Sequence, residues 1–175
     1  MNTLSGPYIS KVEISNFRNF KDTIVDLSHK QVVIGENNIG KTNFLRAIQL
    51  ILDPKLSDED RNLIETDFFE GLDSPMENGN EIEISINIRG FEHNKMLLST
   101  LSDATVQDEP PTLRLTYKYY AIQSGDGTYT YQYKIFQGYN EDISFTNFHR
   151  RYLNLKVIPP IRDVDGNEKQ SQITN

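Results

Sequence analysis

The sequence predicts an α/β protein of α+β character, and three observations carry that prediction. A short β-branched run, Lys30 to Ile34, leads through a loop bounded by Gly35 and Gly40 into a stretch of helical period. Ile82, Ile84, Ile86 and Ile88 alternate with Glu83, Ser85 and Asn87, the pattern of a strand with one buried face. Two β-rich runs, Thr112 to Gln123 and Thr128 to Gln137, flank Ser124-Gly125-Asp126-Gly127, which is a hairpin signature. A strand–loop–helix unit is thus expected beside an antiparallel β section.

From the N-terminus, Ile9, Val12, Ile14 and Phe17 stand apolar among Ser10, Lys11, Glu13 and Ser15, so Ile9 to Phe17 reads as a strand. Thr23 to Leu27 is a second strand and Lys30 to Ile34 a third. From Lys41 to Leu52 the period changes, with Phe44, Ala47, Ile48 and Ile51 at i, i+3, i+4 and i+7, one face of a helix. Asp53-Pro54 ends it, because proline has no N–H and restricts the residue before it. Ser57 to Phe69 opens Ser-Asp-Glu-Asp, acidic groups suited to the positive end of a helix dipole. Asp73 to Asn80 and Asp103 to Pro111 are expected loops. Phe91 to Ser102 and Asn140 to Leu153 are expected helices, and Leu155 to Ile158 a last strand before Pro159-Pro160.

Gly35-Glu36-Asn37-Asn38-Ile39-Gly40-Lys41-Thr42 matches the phosphate-binding pattern G-x-x-x-x-G-K-S/T. Gly35 and Gly40 allow backbone conformations that a Cβ resists, so successive N–H groups can point inward. The amides of Asn38 to Lys41 and the positive end of the following helix would cradle phosphate oxygens. Lys41 would add a point charge to the β- and γ-phosphates, and the Thr42 hydroxyl would ligate Mg²⁺. The alternative is a glycine-containing turn with no ligand. An apolar run before the loop and an amphipathic stretch after it favour the phosphate reading, with ATP and Mg²⁺ as cofactors. The dinucleotide fingerprint G-x-G-x-x-G is absent.

Composition narrows the remaining classes. The 175 residues, 37% apolar and 25% charged, suit one globular domain or one lobe of a larger one. With no cysteine there is neither a disulfide framework nor thiolate chemistry. No signal peptide or membrane span is legible, so a soluble cytoplasmic protein is expected. The formal charge is −7. The basic groupings, His149-Arg150-Arg151 or Lys11 with Arg18 and Lys21, are too small for an evident nucleic-acid footprint. His29, His93 and His149 lack ligand spacing, and Asp58-Glu59-Asp60 suits a helix start better than a metal.

ISKVEISNFRNF at Ile9 to Phe20, then QVVIGENNIGKTNFLRAIQLIL, resembles the N-terminal lobe of the ABC-type ATPases of DNA metabolism, the RecF/SMC-like group. There a strand bearing N-F-R/K-x-F/Y precedes a G-x-N-x-x-G-K-S/T-N loop. Asn37 and Asn43 favour this group over small GTPases and nucleoside kinases. Within it the chain is similar to the OLD family, which includes Gabija-type phage-defence nucleases. Asn16 to Phe20, Asn38-Ile39, Asp67-Phe68 and Ile158-Pro159-Pro160-Ile161-Arg162-Asp163 carry that likeness. It implies a P-loop lobe of ABC type over residues 1–162 and a polar tail, 163–175, leading into a further region. In such ATPases two heads sandwich ATP, and a signature Ser, a Walker B Asp-Glu pair and a switch His complete the site. Neither these nor the acidic residues of a TOPRIM nuclease occur in this sequence. The likeness therefore implies a nucleotide-binding lobe, inactive or slow alone, whose intact protein forms a homodimer or higher oligomer and cuts DNA. A complete small phosphotransferase and a nonenzymatic nucleotide-binding module are the competing readings.

Some residues stay open at this level. Arg18 either approaches the nucleotide or caps a surface turn. Asn37 and Asn38 either orient the γ-phosphate or attacking water, or simply tolerate left-handed backbone. Gln107, Gln123 and Gln137 are formal candidates for a metal-contacting glutamine, none in a recognisable context. Tyr117, Tyr119, Tyr120, Tyr129, Tyr131 and Tyr133 could stack on bases, although alternate hairpin positions favour cross-strand packing.

Overall fold

The computed structural model describes residues 6–36 and 40–153. Its frame is a seven-stranded antiparallel sheet made of β1 (Tyr8–Phe17), β2 (Phe20–Asp26), β3 (Ile82–Arg89), β4 (Thr105–Asp108), β5 (Pro111–Gln123), β6 (Tyr129–Gln137) and β7 (Asn140–Ser144). The order is β2-β1-β3-β5-β6-β7, with β4 paired to β5. Helix α1 (Lys41–Leu52) follows the loop, and α2 (Asp58–Arg61), α3 (Lys95–Thr100) and α4 (Asn147–Leu153) are short. No helix among the described residues is long and apolar enough to cross a membrane.

The period-2 pattern fixes which face is buried, and the register lines the apolar positions up in rows. Ile14 lies opposite Ile84, Ile84 opposite Tyr117, and Tyr117 opposite Ile135. The next row runs Val12, Ile86, Leu115. All are buried, and removing each such side chain from water contributes about 1.5–3 kcal/mol. The helix face expected from the sequence, Phe44, Ala47, Ile48 and Ile51, packs into the same core. The outer face of the sheet is polar, with Arg114 paired to Glu13 at 2.7 Å and Lys118 to Glu81 at 3.0 Å.

Helix α1 ends at Asp53-Pro54 as its sequence requires, which leaves its last carbonyls without main-chain donors. Two buried arginines supply the donors. Arg61 Nε donates to the Leu50 carbonyl at 3.0 Å, and Arg150 Nε to the Ile51 carbonyl at 2.7 Å. Both guanidiniums sit at the negative end of the helix dipole, where positive charge is favoured. Burial, then repulsion from Arg61, brings the Arg150 pKa down to about 10, so it stays charged at neutral pH.

The hairpin tyrosines pack as cross-strand pairs. Tyr117 stacks on Tyr133 with ring centroids 5.6 Å apart, and Tyr119 meets Tyr131 at 5.2 Å. Their hydroxyls reach the segment that crosses this face. Tyr117 donates to the Arg61 carbonyl at 2.6 Å, Tyr119 to that of Leu63 at 2.5 Å, Tyr131 to that of Asn80 at 2.9 Å, and Tyr133 to Asp58 Oδ1 at 2.6 Å. These four rings are held in packing and hydrogen bonds, not offered to bases. Burial, above all, raises the Tyr131 and Tyr133 phenols from 10.0 to about 12. Their stabilising contribution is complete below pH 10 and is lost as pH rises from 10 towards 12. Denaturant unfolding across that window should show stability falling with pH, with a shallower fall in Tyr133→Phe.

The sequence-based expectations fail where tertiary contacts override local pattern. Gln31 to Glu36 forms no strand, and Val32 and Ile34 are 77% and 89% exposed. No strand among the described residues lies beside this run to complete its hydrogen bonds. The helix expected from Ser57 stops after one turn. Its capping box with Asp60 forms, but Tyr117 and Tyr119 bond the Arg61 and Leu63 carbonyls. The Asp67 carboxylate accepts the Ile64 N–H, closing a 3-10 turn over Glu65–Asp67. The helix expected from Phe91 starts only at Lys95, where Asn94 Oδ1 caps the Leu97 N–H. Thr105–Asp108, expected as loop, pairs with β5. The expected helix from Asn140 divides into β7 and α4, because Phe145 is buried and its N–H bonds the Ile135 carbonyl at 2.7 Å. The expected strand Leu155 to Ile158 and the tail 163–175 lie outside the described residues.

Candidate nucleotide-binding site

The motif residues gather at the start of α1. Gly40 precedes the helix with φ +104°, a left-handed conformation that glycine adopts without strain. A Cβ there would stand 2.1 Å from Asn19 Nδ2, so a larger residue would also have to displace that side chain. The Gly40 carbonyl accepts the Phe44 N–H at 2.8 Å, opening the helical ladder. Among the described residues no side chain caps the first turn, and no acidic residue sits in it. The Lys41, Thr42 and Asn43 amides are therefore the donors that an α-helix leaves without intrahelical partners.

Lys41 projects from this turn over the loop, and its ammonium donates to the Gly35 and Glu36 carbonyls at 2.6 and 2.5 Å. Those acceptors are neutral, so the charge remains uncompensated by any carboxylate they provide. Thr42 is exposed beside it. Asn37, Asn38 and Ile39 lie outside the described residues. Among the described residues no cluster of three or more His, Asp or Glu could hold a metal. A cationic, amide-rich helix start with a free threonine hydroxyl fits a polyphosphate carrying its own divalent ion. It does not fit a metal bound by the protein alone.

Arg18 lies against this helix start. Phe17 pairs with Phe20 across the β1–β2 turn, and Arg18 in that turn has φ +50°. Its Nε and Nη2 each lie 2.9 Å from Asp67 Oδ1, and its Nη1 donates to Asn43 Oδ1 at 2.8 Å. Asn43 Nδ2 donates to Asn19 Oδ1 at 2.8 Å, and Asn19 covers Gly40. The expected residues Arg18, Gly40, Lys41, Thr42 and Asn43 thus share one neighbourhood. Asp67 and Asn19 belong to it too, although sequence alone gave neither a role. Their only sequence signal was position, Asn19 inside the N-F-R-N-F run and Asp67 before Phe68.

The G-x-x-x-x-G-K-T sequence of Gly35 to Thr42 and the lysine-bearing start of α1 define a P-loop lobe. A family profile for the AAA ATPase domain matches residues 8–158, and the chain belongs to that family. It is similar to the endonuclease GajA of Bacillus cereus (strain VD045), 47% identical over 47 residues, which are 27% of this chain and 8% of that protein. It is also similar to the DNA replication and repair protein RecF of Bacillus cytotoxicus, 38% identical over 63 residues, 34% of this chain and 17% of RecF. The chain spans only a small part of the length of these curated relatives. Solved structures with some likeness include an SMC ATPase, with TM-score 0.41 and 20% identity, covering 82% of this chain and 75% of that one. RecF with ATP has TM-score 0.39 and 12% identity, covering 83% of this chain and 29% of that one.

Proposed function

We propose that this chain is the ATP- and Mg²⁺-binding N-terminal lobe of an OLD-family ATP-dependent DNA endonuclease acting in DNA repair or phage defence. The single observation behind the proposal is the Lys41 ammonium poised over a Gly40-started helix whose first-turn amides have no side-chain cap. The 47% identity to GajA over 47 residues supports the endonuclease reading. Residues 1–162 form the lobe, and the intact protein pairs ATPase heads and reaches DNA through regions other than this one.

Mg·ATP supplies the negative oxygens and the divalent charge that this site is shaped for. Lys41 would exchange its two loop carbonyls for β- and γ-phosphate oxygens. The Asn38 to Lys41 amides would hold the phosphates by hydrogen bonds strengthened by their charge. Thr42 would offer its hydroxyl as one ligand to Mg²⁺. Arg18, Asn43 and Asn19 keep the first turn and its glycine in register.

Calorimetric titration of the 175-residue chain with ATP, with and without Mg²⁺, tests this. Mg²⁺ should tighten binding, and Thr42→Val should remove that gain, leaving affinity roughly tenfold weaker. Well-folded protein giving no heat with Mg·ATP would overturn the proposal.

A further inference from the structure

We infer that Asp67 is a positioning residue for the nucleotide site, acting on the first turn of α1 through Arg18 and Asn43. The inference rests on the nucleotide-binding reading above and adds a residue from a distant segment to it.

Both Asp67 oxygens are committed. Oδ1 receives Arg18 Nε and Nη2, and Oδ2 accepts the Ile64 N–H at 3.0 Å. The main chain reinforces the pair, since the Arg18 N–H donates to the Asp67 carbonyl at 2.8 Å and the Phe69 N–H to that of Asn16 at 2.9 Å. Phe68 pairs with Phe17 between these bonds and is buried against Tyr119 and Tyr131. Left-handed backbone at a non-glycine residue costs roughly 1–2 kcal/mol, so Arg18 holds φ +50° because Asp67 engages both its main chain and its side chain. The guanidinium is then left with Nη1 directed at Asn43, and Asn43 in turn fixes Asn19 over Gly40. One carboxylate, 49 residues from Arg18 in sequence, thereby sets the geometry of the glycine and helix turn that face phosphate. Charge-assisted contacts of this kind orient what they touch more firmly than neutral ones.

The test is Asp67→Asn, which keeps an acceptor for the Ile64 N–H and loses the charge on Arg18. Mg·ATP affinity should fall about tenfold, the size usual for groups that orient a ligand's direct contacts, and Asp67→Glu should recover part of it. In an Arg18→Ala background Asp67→Asn should leave affinity unchanged while still lowering the melting temperature; a purely structural role would weaken binding equally in both backgrounds. Wild-type affinity in Asp67→Asn, or an equal loss in both backgrounds, would overturn the positioning role while Mg·ATP binding by the parent chain stands. Failure of the parent chain to bind Mg·ATP, seen in the same titrations, would remove the nucleotide reading and this inference together.

Discussion

Lys41→Ala should abolish measurable Mg·ATP binding, with affinity falling at least about 100-fold. On the proposed reading, the lysine is the motif's one side-chain cation for the β- and γ-phosphates. Hydrogen bonds to charged groups contribute about 1.5–3 kcal/mol each, and each 1.4 kcal/mol is about tenfold in affinity. The folded state should hardly notice. Among the described residues Lys41 bonds only the exposed carbonyls of Gly35 and Glu36, and surface changes of this kind stay within about 0.5 kcal/mol. Calorimetry together with a thermal melt checks both halves. Unchanged affinity in a normally folded variant would favour the nonenzymatic nucleotide-binding module.

Arg61→Met has the opposite profile, a large loss of stability at a residue remote from the motif. Arg61 is 1% exposed, and its guanidinium donates to the carbonyls of Leu50, Asp53 and Leu56. Methionine keeps much of the stem's packing but leaves those carbonyls without this donor. A buried acceptor stranded in this way costs about 1–3 kcal/mol, so a total of about 3–5 kcal/mol is expected in urea unfolding. A loss below about 1 kcal/mol would show that the carbonyls find other partners. Because α1 carries Lys41 and Thr42 at its other end, the variant's nucleotide affinity should be measured well below its melting temperature.

The contrast between these two residues shows what the sequence discloses. Lys41 sits in a motif whose spacing is its meaning, so its place at a helix start was legible. The isoleucines of β3 and the helix face from Phe44 to Ile51 were legible for a similar reason, since local periodicity alone decides which side is buried. Arg61 gave no such signal. It looks like one more charge in an acidic, surface-type run, and only the carbonyls of α1 explain its burial. Asp67 and Arg18 meet across 49 residues, a contact no local pattern encodes. Tyr117, Tyr119, Tyr131 and Tyr133 pack across strands as alternate hairpin positions favour, but their hydroxyl partners between Asp58 and Asn80 cut short a helix that its N-terminal signal foretold. Val32 to Ile34 misled in the other direction: β-branched residues favour extension, yet a strand exists only where a neighbour accepts its hydrogen bonds.

The bond from Arg150 to the Ile51 carbonyl spans 99 residues, and that span has a consequence during synthesis. Translation is vectorial, and domains gather as their parts leave the ribosome. The helix bearing Lys41 is therefore made long before the guanidinium that finishes its far end. Until Arg150 emerges, a nascent chain holds that helix with one donor missing at its far end.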